Sequence, residues 1–363
     1  MAWDVRAGEG IAIDILHPGI GHIRAATYLE TTPQTALWGW LPCGADAPVL
    51  VIDSGTEVTF DCLSHEGLLE DQGRDPVTYF GGWGVPPEQV LQDASALASS
   101  SLDRGTGGPH VVTGPIHING ARPGDLLKMT VMETLPRVPY GIISNRHGRG
   151  ALPGEYPEIV ELVSVFATLD GDVATMPKVL GGEHAVRFPI APFLGIMGVA
   201  VAGDRRPHSV PPGAHGGNLD MNVLTVGAVL YLPVQVDGAR AYVGDPHFSQ
   251  GDGEVALTAL EASLRATVRF DVVTREDARA EFGELAGPLA ETSDYLIPTG
   301  LDPDLDAAVR NCVRAAIGLL RARYAMDAPH AYAYLSAATD FNISQVVDLV
   351  TGVHARIRKA DFL

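Results

Sequence analysis

The sequence contains few cysteines and few basic residues. Its 363 residues include three cysteines, Cys43, Cys62 and Cys312. An odd number of cysteines without CxxC spacing argues against a disulfide framework, and it favours the reducing cytoplasm as the location of the protein. Lysine and arginine together number 25, against 44 aspartates and glutamates, and the formal net charge is −19. Because nucleic acids and anionic membranes are polyanions, we expect neither as a partner.

The sequence also lacks a long hydrophobic run. Its most apolar stretch, residues 190–202, is interrupted by Pro192, Gly195 and Gly198 and is too short to cross a bilayer. The first ten residues, MAWDVRAGEG, contain no apolar core of signal-peptide length. Hydrophobic residues nevertheless make up 46% of the chain and charged residues 19%, which is typical of a globular protein with a buried core.

Glycine and proline are abundant, and the strand signals are short. The chain has 41 glycines and 26 prolines, a composition that favours many turns over long helices. Residues 264–272 alternate between apolar and polar side chains, as expected for a half-buried antiparallel strand with two different faces. Residues 49–61 and 111–133 each contain two apolar stretches around a glycine-containing turn, which predicts two β-hairpins.

Clear helical spacing occurs only near the C-terminus. Apolar residues recur every three or four positions between Leu305 and Tyr324, and Asp302 or Asp304 can cap this helix. Two further helices are predicted at residues 330–339 and 344–351, which makes the fold class β-rich mixed (α+β). We expect jelly-roll-like β-sandwich or barrel units with a few C-terminal helices.

The predicted organisation has three units with soft boundaries. The N-terminal β unit covers residues 1–105 and ends in a stretch rich in serine and glycine. The central β unit covers residues 106–274 and contains two glycine-rich polar motifs. Residues 275–363 form the C-terminal α/β unit.

The most distinctive segment is GDPHFSQGDGE, residues 244–254, which holds three carboxylates, one imidazole and one amide. Asp245 and His247 are two residues apart, so they share one face of an extended strand. Asp252 and Glu254 have the same spacing beyond a glycine-rich turn. The pattern indicates a hard-cation or zinc site, or an acid/base pair, at the end of a strand. A solvated acidic loop is the structural alternative.

A second polar motif comes earlier, at residues 211–220, with the sequence PPGAHGGNLD. It again places His, Asn and Asp among glycines. Residues 228–234 lie between the two motifs and are predicted to form a buried strand. A strand flanked by two polar loops can bring both loops to one site.

These segments resemble the acetamidase/formamidase family. The closest matches are HGGNLD (215–220), LYLPV (230–234) and GDPHFSQGDGE (244–254). Residues 110–127 resemble the TGP…V/I-x-GA-x-PGD-L stretch of the family. Residues 332–348 resemble its C-terminal SxAxDxxISQxVD stretch, and all matches keep the family's order.

The resemblance implies hydrolysis of a small amide to a carboxylate and ammonia. It also implies a β-rich, jelly-roll-like fold, a homo-oligomer and a divalent metal. Residues 61–84 and 137–157 do not follow the family pattern. Because loops of this kind shape a substrate pocket, hydrolysis of larger amides is an alternative.

Amide hydrolysis requires an activated nucleophile, a stabilised oxyanion and a proton for the leaving nitrogen. Either a metal-activated water or a serine or cysteine with a basic partner can provide the nucleophile. The motifs are rich in Asp, His, Asn and Gln, the cysteines lie outside them, and no GxSxG elbow occurs. We therefore expect a metal-activated water, with zinc as the ion and calcium as an alternative structural ion.

Five side chains are assigned metal-binding or catalytic roles. His247 and Asp245 are the principal candidate metal ligands, and Asp220 is the third, with His215 as the alternative. Glu254 is the candidate general base that passes a proton from water to the leaving amine. Asp252 is expected to orient Glu254 or to bind a second ion, and His247 counts among the catalytic residues as well. For Asp252 and Asp220, closing a turn or bracing a loop is the structural alternative.

Three further residues are candidates for contact with the substrate. The amide groups of Asn218 and Gln250 can form hydrogen bonds with the substrate carbonyl or amide. His215 is the third candidate, and its structural alternative is to bind backbone carbonyls within the glycine-rich loop.

Two other histidines carry weaker signals. His110 precedes the TGP segment and is a minor candidate for the site. His147 lies near Arg146 and Arg149, where it can recognise an anionic group of a substrate. A solvated basic loop is the simpler explanation for this second group.

Two readings without catalysis remain. One is a β protein that binds a metal or small ligand, and the other is a β-sandwich whose acidic loops bind structural Ca²⁺. The second predicts coordination by oxygen alone, so a nitrogen ligand from His247 argues against it. In the preferred interpretation the partners are a small amide and other copies of the chain.

Overall fold

The structure is a computed structural model that describes residues 14–362. Within this range the chain forms twenty β-strands and five α-helices. In chain order the first ten strands are β1 (Thr27–Glu30), β2 (Ala36–Trp38), β3 (Leu50–Asp53), β4 (Thr56–Cys62), β5 (Val111–Asn119), β6 (Leu126–Pro136), β7 (Tyr140–Arg146), β8 (Leu162–Asp170), β9 (Val173–Pro177) and β10 (His184–Pro189).

The second ten strands are β11 (Phe193–Gly198), β12 (Gly216–Asn218), β13 (Val229–Pro233), β14 (Ala241–Ser249), β15 (Leu260–Glu261), β16 (Leu264–Val273), β17 (Leu289–Glu291), β18 (Tyr295–Asp302), β19 (Asp340–Gln345) and β20 (Thr351–Arg358). The helices are α1 (Pro76–Gly81), α2 (Gln92–Ala98), α3 (Arg275–Phe282), α4 (Leu305–Tyr324) and α5 (Ala328–Ala338). None of these helices is both long and apolar enough to cross a membrane.

The strands form two sheets. The first has nine strands in the order β1-β4-β16-β6-β13-β17-β18-β20-β19. The second has eleven strands, of which eight follow the order β10-β9-β8-β7-β15-β14-β11-β12. In this second sheet β5 pairs with β14, and β2 and β3 pair with β5. Over residues 14–362 neither sheet closes into a barrel.

The two sheets share one hydrophobic core. Phe60 and Val268 of the nine-stranded sheet belong to the same buried cluster as Leu194 and Val243 of the eleven-stranded sheet. Packing of inner faces in this way defines a β-sandwich. The predicted β-rich class with a few C-terminal helices is therefore confirmed, and the jelly-roll-like topology stays a prediction.

The nine-stranded sheet combines strands from all three predicted units. Strands β1 and β4 come from residues 1–105, β6, β13 and β16 from residues 106–274, and β17 to β20 from residues 275–363. The proposed division at residues 105 and 274 therefore describes segments whose strands pair with one another. The division of the chain into three units stays a prediction.

Both predicted hairpins are wrong, although their strands exist. Strand β3 pairs with β5 in one sheet, whereas β4 pairs with β1 and β16 in the other. Likewise, β5 and β6 lie in different sheets. A glycine turn marks a change of chain direction, but the sequence around it does not say whether the next strand stays in its sheet or crosses to the opposite one.

The C-terminal helices are predicted correctly except for the last. Helix α4 begins after Asp304, whose carboxylate accepts a hydrogen bond of 2.8 Å from the backbone N–H of Ala307. Helix α5 corresponds to the second predicted helix. In place of the third, β19 and β20 form an antiparallel pair joined by a turn in which Leu349 has a φ of 65°. The β-branched Ile343 and Thr351 lie in these two strands and favour extended structure here.

Strand β16 places one polar residue on a part of the nine-stranded sheet that another segment of the chain buries. Arg265 is fully buried and donates to both carboxylate oxygens of Asp61, at 2.6 and 2.8 Å. Its remaining donors reach the carbonyls of His17, Ile20 and His22. The segment around residue 20 thus covers a face that the alternation alone predicts to be solvated, and the ion pair makes burial of the charge tolerable.

Candidate active site

The site is built around strand β11, which lies between β12 and β14. Strand β14 carries Asp245 and His247, and β12 ends at Asn218, two residues before Asp220. The two polar motifs therefore meet, as the sequence predicts. The strand that joins them is β11, however, because the predicted central strand, β13, belongs to the other sheet.

Gly195 in β11 leaves the space in which the motif side chains converge. A Cβ atom at this position would lie 2.6 Å from Asp245 Oδ2 and 2.8 Å from His247 Cε1, and closer still to Asp220 Oδ1. These separations are shorter than any real Cβ contact. The missing side chain of Gly195 is therefore a condition for the arrangement of these three residues.

Three acidic residues of the site have left-handed backbone conformations. The φ angles are 44° at Asp220, 52° at Asp245 and 48° at Glu254. This region is uncommon for residues other than glycine, and it concentrates at functional sites where the surrounding structure holds the strained conformation. Here it turns three carboxylates toward one buried volume.

His247 lies at the centre of the cluster and is completely buried. Its Nε2 atom is 3.1 Å from Asp245 Oδ2 and 3.0 Å from Glu261 Oε1, and its Nδ1 atom is 3.8 Å from Asp220 Oδ1. Glu261 faces His247 across the β14–β15 pair. Neither ring nitrogen of His247 has a hydrogen bond of good geometry.

His65 approaches the cluster from the loop after β4. Its Nδ1 atom lies 3.6 Å from Asp245 Oδ1 and 3.9 Å from Glu261 Oε2, without a hydrogen-bond partner. The opposite ring nitrogen, Nε2, lies 3.5 Å from Glu66 Oε1. Glu66 also accepts a hydrogen bond of 2.7 Å from the Ser144 hydroxyl. A carboxylate behind the imidazole fixes the ring with one nitrogen toward the cluster.

His110 and Asp348 complete the arrangement. The Nδ1 atom of His110 is 3.0 Å from Ser209 Oγ, and its Nε2 atom is 3.9 Å from Asp245 Oδ1. Asp348 arrives from the C-terminal segment, which is held against the GDGE motif by a bridge between Gly253 and Gln345. One oxygen of Asp348, Oδ2, is buried without a partner.

The crowding of carboxylates perturbs their protonation. Burial, together with the charges of Glu254 and Asp348, raises the pKa of Asp220 well above its usual value. Burial and the same kind of repulsion raise the pKa of Asp348 to about 7 and that of Glu254 well above its usual value. Although burial also opposes ionisation of Asp245, His110 and His247 hold its pKa well below the ordinary range.

The pKa values of the imidazoles in the cluster shift in opposite directions. Burial disfavours the charged form of His247, but Glu261 and Asp245 raise its pKa well above the usual value. His65 behaves in the same way. Burial disfavours its charged form, but Asp245 and Glu66 raise its pKa to about 10. Burial lowers the pKa of His110 to about 4. Perturbation on this scale in one buried cluster is typical of functional sites.

The donor set fits a divalent cation. Three overlapping groups bring ligand atoms within 4.8 Å of one another: His65, His110 and Asp245; Asp220, His247 and Glu254; and Asp245, His247 and Glu261. Buried polar atoms normally have a hydrogen-bond partner, yet one atom is without a partner in each of Asp220, Asp245, Glu254 and Glu261. A cation among these atoms satisfies them together, and imidazole with carboxylate suits zinc.

A cavity of about 440 Å³ opens onto the cluster. Its lining contains carboxylates of the cluster, together with His65, His110 and Asn218. Arg104, Arg146 and Arg149 line the same cavity. Asn218 is buried, and its Oδ1 atom has no partner.

The remaining predicted residues lie around the cluster. Asp252 is exposed and accepts hydrogen bonds of 2.9 and 2.7 Å from the side-chain amides of Asn222 and Asn342. Gln250 donates through Nε2 to the backbone carbonyl of Asp220 at 2.8 Å. His215 packs against the glycines of its own loop, and burial lowers its pKa to about 4.

Sequence reasoning missed three members of the cluster and assigned none of them a role: His65, Glu261 and Asp348. His65 and Glu66 lie in residues 61–84, the segment without a recognisable pattern. Glu261 offered a signal, because a carboxylate between Leu260 and Ala262 in an apolar stretch is rarely buried without a partner. Asp348 ends the C-terminal stretch used for the family resemblance.

A β-sandwich with a buried cluster of imidazoles and carboxylates that lines a cavity is the class of protein that fold and site define. Comparison with known proteins gives the family. Residues 94–206 and 202–357 match the Acetamidase/Formamidase family. The chain belongs to this family, and the predicted resemblance is confirmed.

Two curated relatives and one solved structure illustrate the similarity. A Schizosaccharomyces pombe protein, whose name as a formamidase is provisional, is 28% identical over 277 residues, which cover 61% of this chain and 60% of that protein. Formamidase of Methylophilus methylotrophus is 26% identical over 303 residues, covering 66% of this chain and 74% of the relative. The match to the first relative thus spans less than two thirds of its length.

The crystal structure of an acetamidase from Yersinia enterocolitica has the same fold. It superposes with a TM-score of 0.72 at 25% identity and covers 95% of each chain.

Proposed function

We propose that this protein hydrolyses the C–N bond of a small linear amide, of the formamide or acetamide type, to a carboxylate and ammonia. Family membership and the names of the relatives support this proposal. The observation that carries it is the set of buried imidazole and carboxylate atoms without partners at the base of the cavity. Such a set combines a place for a cation with groups that can transfer protons.

We propose zinc as the resident ion, because each of the three ligand groups contains an imidazole nitrogen. His247 and Asp245 each belong to two groups and are the main proposed ligands, with Asp220, Glu261 and His65 around them. When bound, the ion supplies Lewis acidity that lowers the pKa of water and polarises a carbonyl. Calcium is the less suitable ion, since it prefers oxygen ligands alone.

Glu254 is the proposed general base. Its Oε2 atom is buried without a partner, and the side chain lines the cavity. Because burial and nearby carboxylates raise its pKa, the Glu254 carboxyl can take a proton from water and hold it. The same proton then passes to the leaving nitrogen, which must be protonated before the C–N bond breaks.

Asn218 is the proposed contact to the substrate amide. Its side chain lines the cavity close to Asp220, and Oδ1 is free to accept a hydrogen bond from a substrate –NH₂ group. This contact orients the C–N bond relative to Glu254. Gln250 is proposed to act indirectly, because its amide holds the backbone carbonyl of Asp220.

Asp252 is proposed to orient Glu254 through the backbone. Its two hydrogen bonds from asparagine side chains fix the turn that carries Glu254. His215 is proposed to support the HGGN loop from within, since its ring lies against Gly213 and Gly217. These roles place both residues behind the groups that touch the substrate.

The test is ammonia release from formamide, acetamide, propionamide and longer amides. The protein is assayed as purified, after chelation, and after zinc is restored, and its metal content is measured in each state. We expect chelation to remove the activity and zinc to restore it. Glu254→Gln should lose at least about a hundredfold in kcat while it keeps its metal, and Glu276→Gln on the exposed surface of α3 serves as the matched control.

Two outcomes contradict the proposal. Activity that is indifferent to complete metal removal rules out the cation. A folded, metal-loaded protein that releases no ammonia from any amide is a binding protein instead.

We also propose that the protein is a cytoplasmic homo-oligomer. All three cysteines are buried and free, as expected in a reducing compartment. Apolar side chains that are strongly exposed, including Val160 at 84% and Leu180 at 90%, provide candidate contacts between copies. Light scattering coupled to size-exclusion chromatography measures the assembly directly, and a monomer at micromolar concentration contradicts it.

A further inference from the structure

One wall of the cavity concentrates positive charge in a strongly acidic protein. Arg104 and Arg146 both line this wall, and they are anchored by consecutive carboxylates. Arg104 pairs with Glu70, and the Nε atom of Arg146 is 2.6 Å from Asp71 Oδ2. Because Glu70 and Asp71 are adjacent in the chain, the two guanidinium groups are held on the same side of the cavity.

Arg149 adds a charge that is not neutralised. It lies in a turn whose backbone N–H donates to the carbonyl of Arg146, at 3.0 Å, and its side chain is exposed to the cavity. In the described part of the chain no carboxylate pairs with the Arg149 guanidinium. His208 lines the same cavity, and burial together with the charges of Arg104 and Arg149 lowers its pKa.

The same cavity also has a set of acidic side chains. Asp220, Asp245, Glu254, Glu261 and Asp348 line it. Leu257, Val347 and Leu349 supply apolar surface in the same cavity. A ligand in this cavity therefore has the buried imidazole and carboxylate cluster, an apolar surface and three guanidinium groups within the same walls.

The size of the cavity exceeds the needs of a very small amide. At about 440 Å³, it falls within the roughly 300–1,000 Å³ typical of pockets that enclose drug-sized ligands. Formamide and acetamide fill a small part of this volume. They also carry no anionic group that an arginine of the cavity can bind.

We infer that the preferred substrates are linear amides that carry a carboxylate at the end opposite to the amide, and that Arg149 binds this carboxylate. The inference rests on the proposed amide hydrolysis and names its substrate class. A free guanidinium binds a carboxylate through two parallel hydrogen bonds. With a net charge of −19, the protein repels anions elsewhere, so a local cationic wall is needed to admit one.

The experiment compares two substrates of nearly the same shape. Succinamate carries a carboxylate, and 4-methylpentanamide has an isopropyl group in its place. The zinc-loaded protein is assayed for ammonia release from both, and kcat and KM are determined separately. We expect kcat/KM to be about tenfold higher for succinamate, and the difference to shrink as salt is added, because the pair is accessible to solvent.

Variants of Arg149 separate recognition from general damage. Arg149→Gln should remove the preference, mainly through a higher KM for succinamate, and leave 4-methylpentanamide unchanged. Arg149→Lys should restore part of the preference, since it keeps the charge but not the planar fork. Arg321→Gln, an exposed change on α4 with the same loss of charge, should alter neither substrate.

Equal hydrolysis of both amides by the wild type overturns the inference and leaves the proposed function intact. An equal loss for both substrates in Arg149→Gln also overturns it. If the protein hydrolyses no amide, the proposed function fails, and calorimetric titration with succinamate decides the binding question alone. Succinamate binding that is lost in Arg149→Gln supports the anion site, and binding that is absent or unaffected overturns it.

Discussion

Gly195 lies directly against the carboxylate of Asp220, so closely that a Cβ atom on Gly195 would overlap Asp220 Oδ1. The same missing side chain also makes room for Asp245 and His247. One backbone position in β11 therefore controls the mutual distance of three proposed site residues. Its role is steric, and a glycine has no reactive side chain that would mark it as functional in the sequence.

We predict that Gly195→Ala disrupts the site. The added methyl group must displace three buried side chains, and a shift of about 1 Å at reacting groups can cost about a hundredfold in rate. Ammonia release and zinc stoichiometry should both fall. Gly318→Ala in α4, where nothing lies within 4 Å of the added Cβ, is the matched control and should be neutral or stabilising. An active, fully metal-loaded Gly195→Ala protein contradicts the steric role.

Neutralising Glu261 and neutralising Asp252 should have very different effects on zinc binding. Glu261 faces His247 at 3.0 Å within the buried cluster, whereas Asp252 is exposed and held by two asparagines. We expect Glu261→Gln to weaken zinc binding at least about tenfold, as changes around metal ligands do. Asp252→Asn should keep its zinc and lose less than about tenfold in kcat. Competition with a fluorescent chelator gives the affinities, and the opposite ranking would exchange their proposed roles.

The buried pair of Arg265 and Asp61 should show strong coupling in stability. Arg265→Met leaves Asp61 buried without its main partner, which costs about 3–5 kcal/mol. Combining it with Asp61→Leu should recover part of this loss, because no isolated charge then remains. Arg269→Met, on the same strand but exposed, should change the free energy of unfolding by less than about 1 kcal/mol. Denaturant titration is applied to the wild type, Arg265→Met, Asp61→Leu, the double variant and Arg269→Met, and additive effects in the double variant disprove the coupling.

His354 should make the protein sensitive to acid. It is buried in β20, its Nδ1 atom lies 2.8 Å from Ser344 Oγ, and burial lowers its pKa to about 4. An unfolded histidine titrates near pH 6.5, so between these values the unfolded state binds a proton that the folded state excludes. The contribution of His354 to the free energy of unfolding is therefore fully present above about pH 6.5 and is lost as the pH decreases toward about 4.

In His354→Gln this contribution is absent. The free energy of unfolding should decline less steeply with acidification, by up to about 1.4 kcal/mol per pH unit. His330→Gln, at an exposed position in the first turn of α5, should retain the steeper decline. The slopes come from urea titrations at several pH values. Identical slopes for wild type and His354→Gln show that the buried imidazole does not contribute.

The sequence predicted those parts of the site that depend on local spacing. Asp245 and His247 are two residues apart on one strand, and both lie beside Gly195. The β-rich class and helix α4 follow from equally local patterns of alternation, turns and capping. Such features can be read within about ten residues.

The missed features depend on partners that are distant in the chain. His65 and Asp348 reach the cluster because whole segments of the chain are placed beside it. The spacing of the residues around them does not indicate this placement. The two hairpins failed for the same reason, since β3 and β4 find their partners in opposite sheets. Partner choice is decided by which faces bury one another, and a turn motif does not contain that information.

The bridge between Gly253 and Gln345, which positions Asp348, has a consequence for biosynthesis. His65 is translated early, but the cavity is complete only after the strand pair β19–β20 has formed beside the GDGE motif. A nascent chain that stalls before this point holds most of the carboxylates and lacks the wall that encloses them. Catalytic competence should therefore arrive abruptly at the end of synthesis, and a premature stop near residue 340 should yield an inactive product even where the sandwich itself folds.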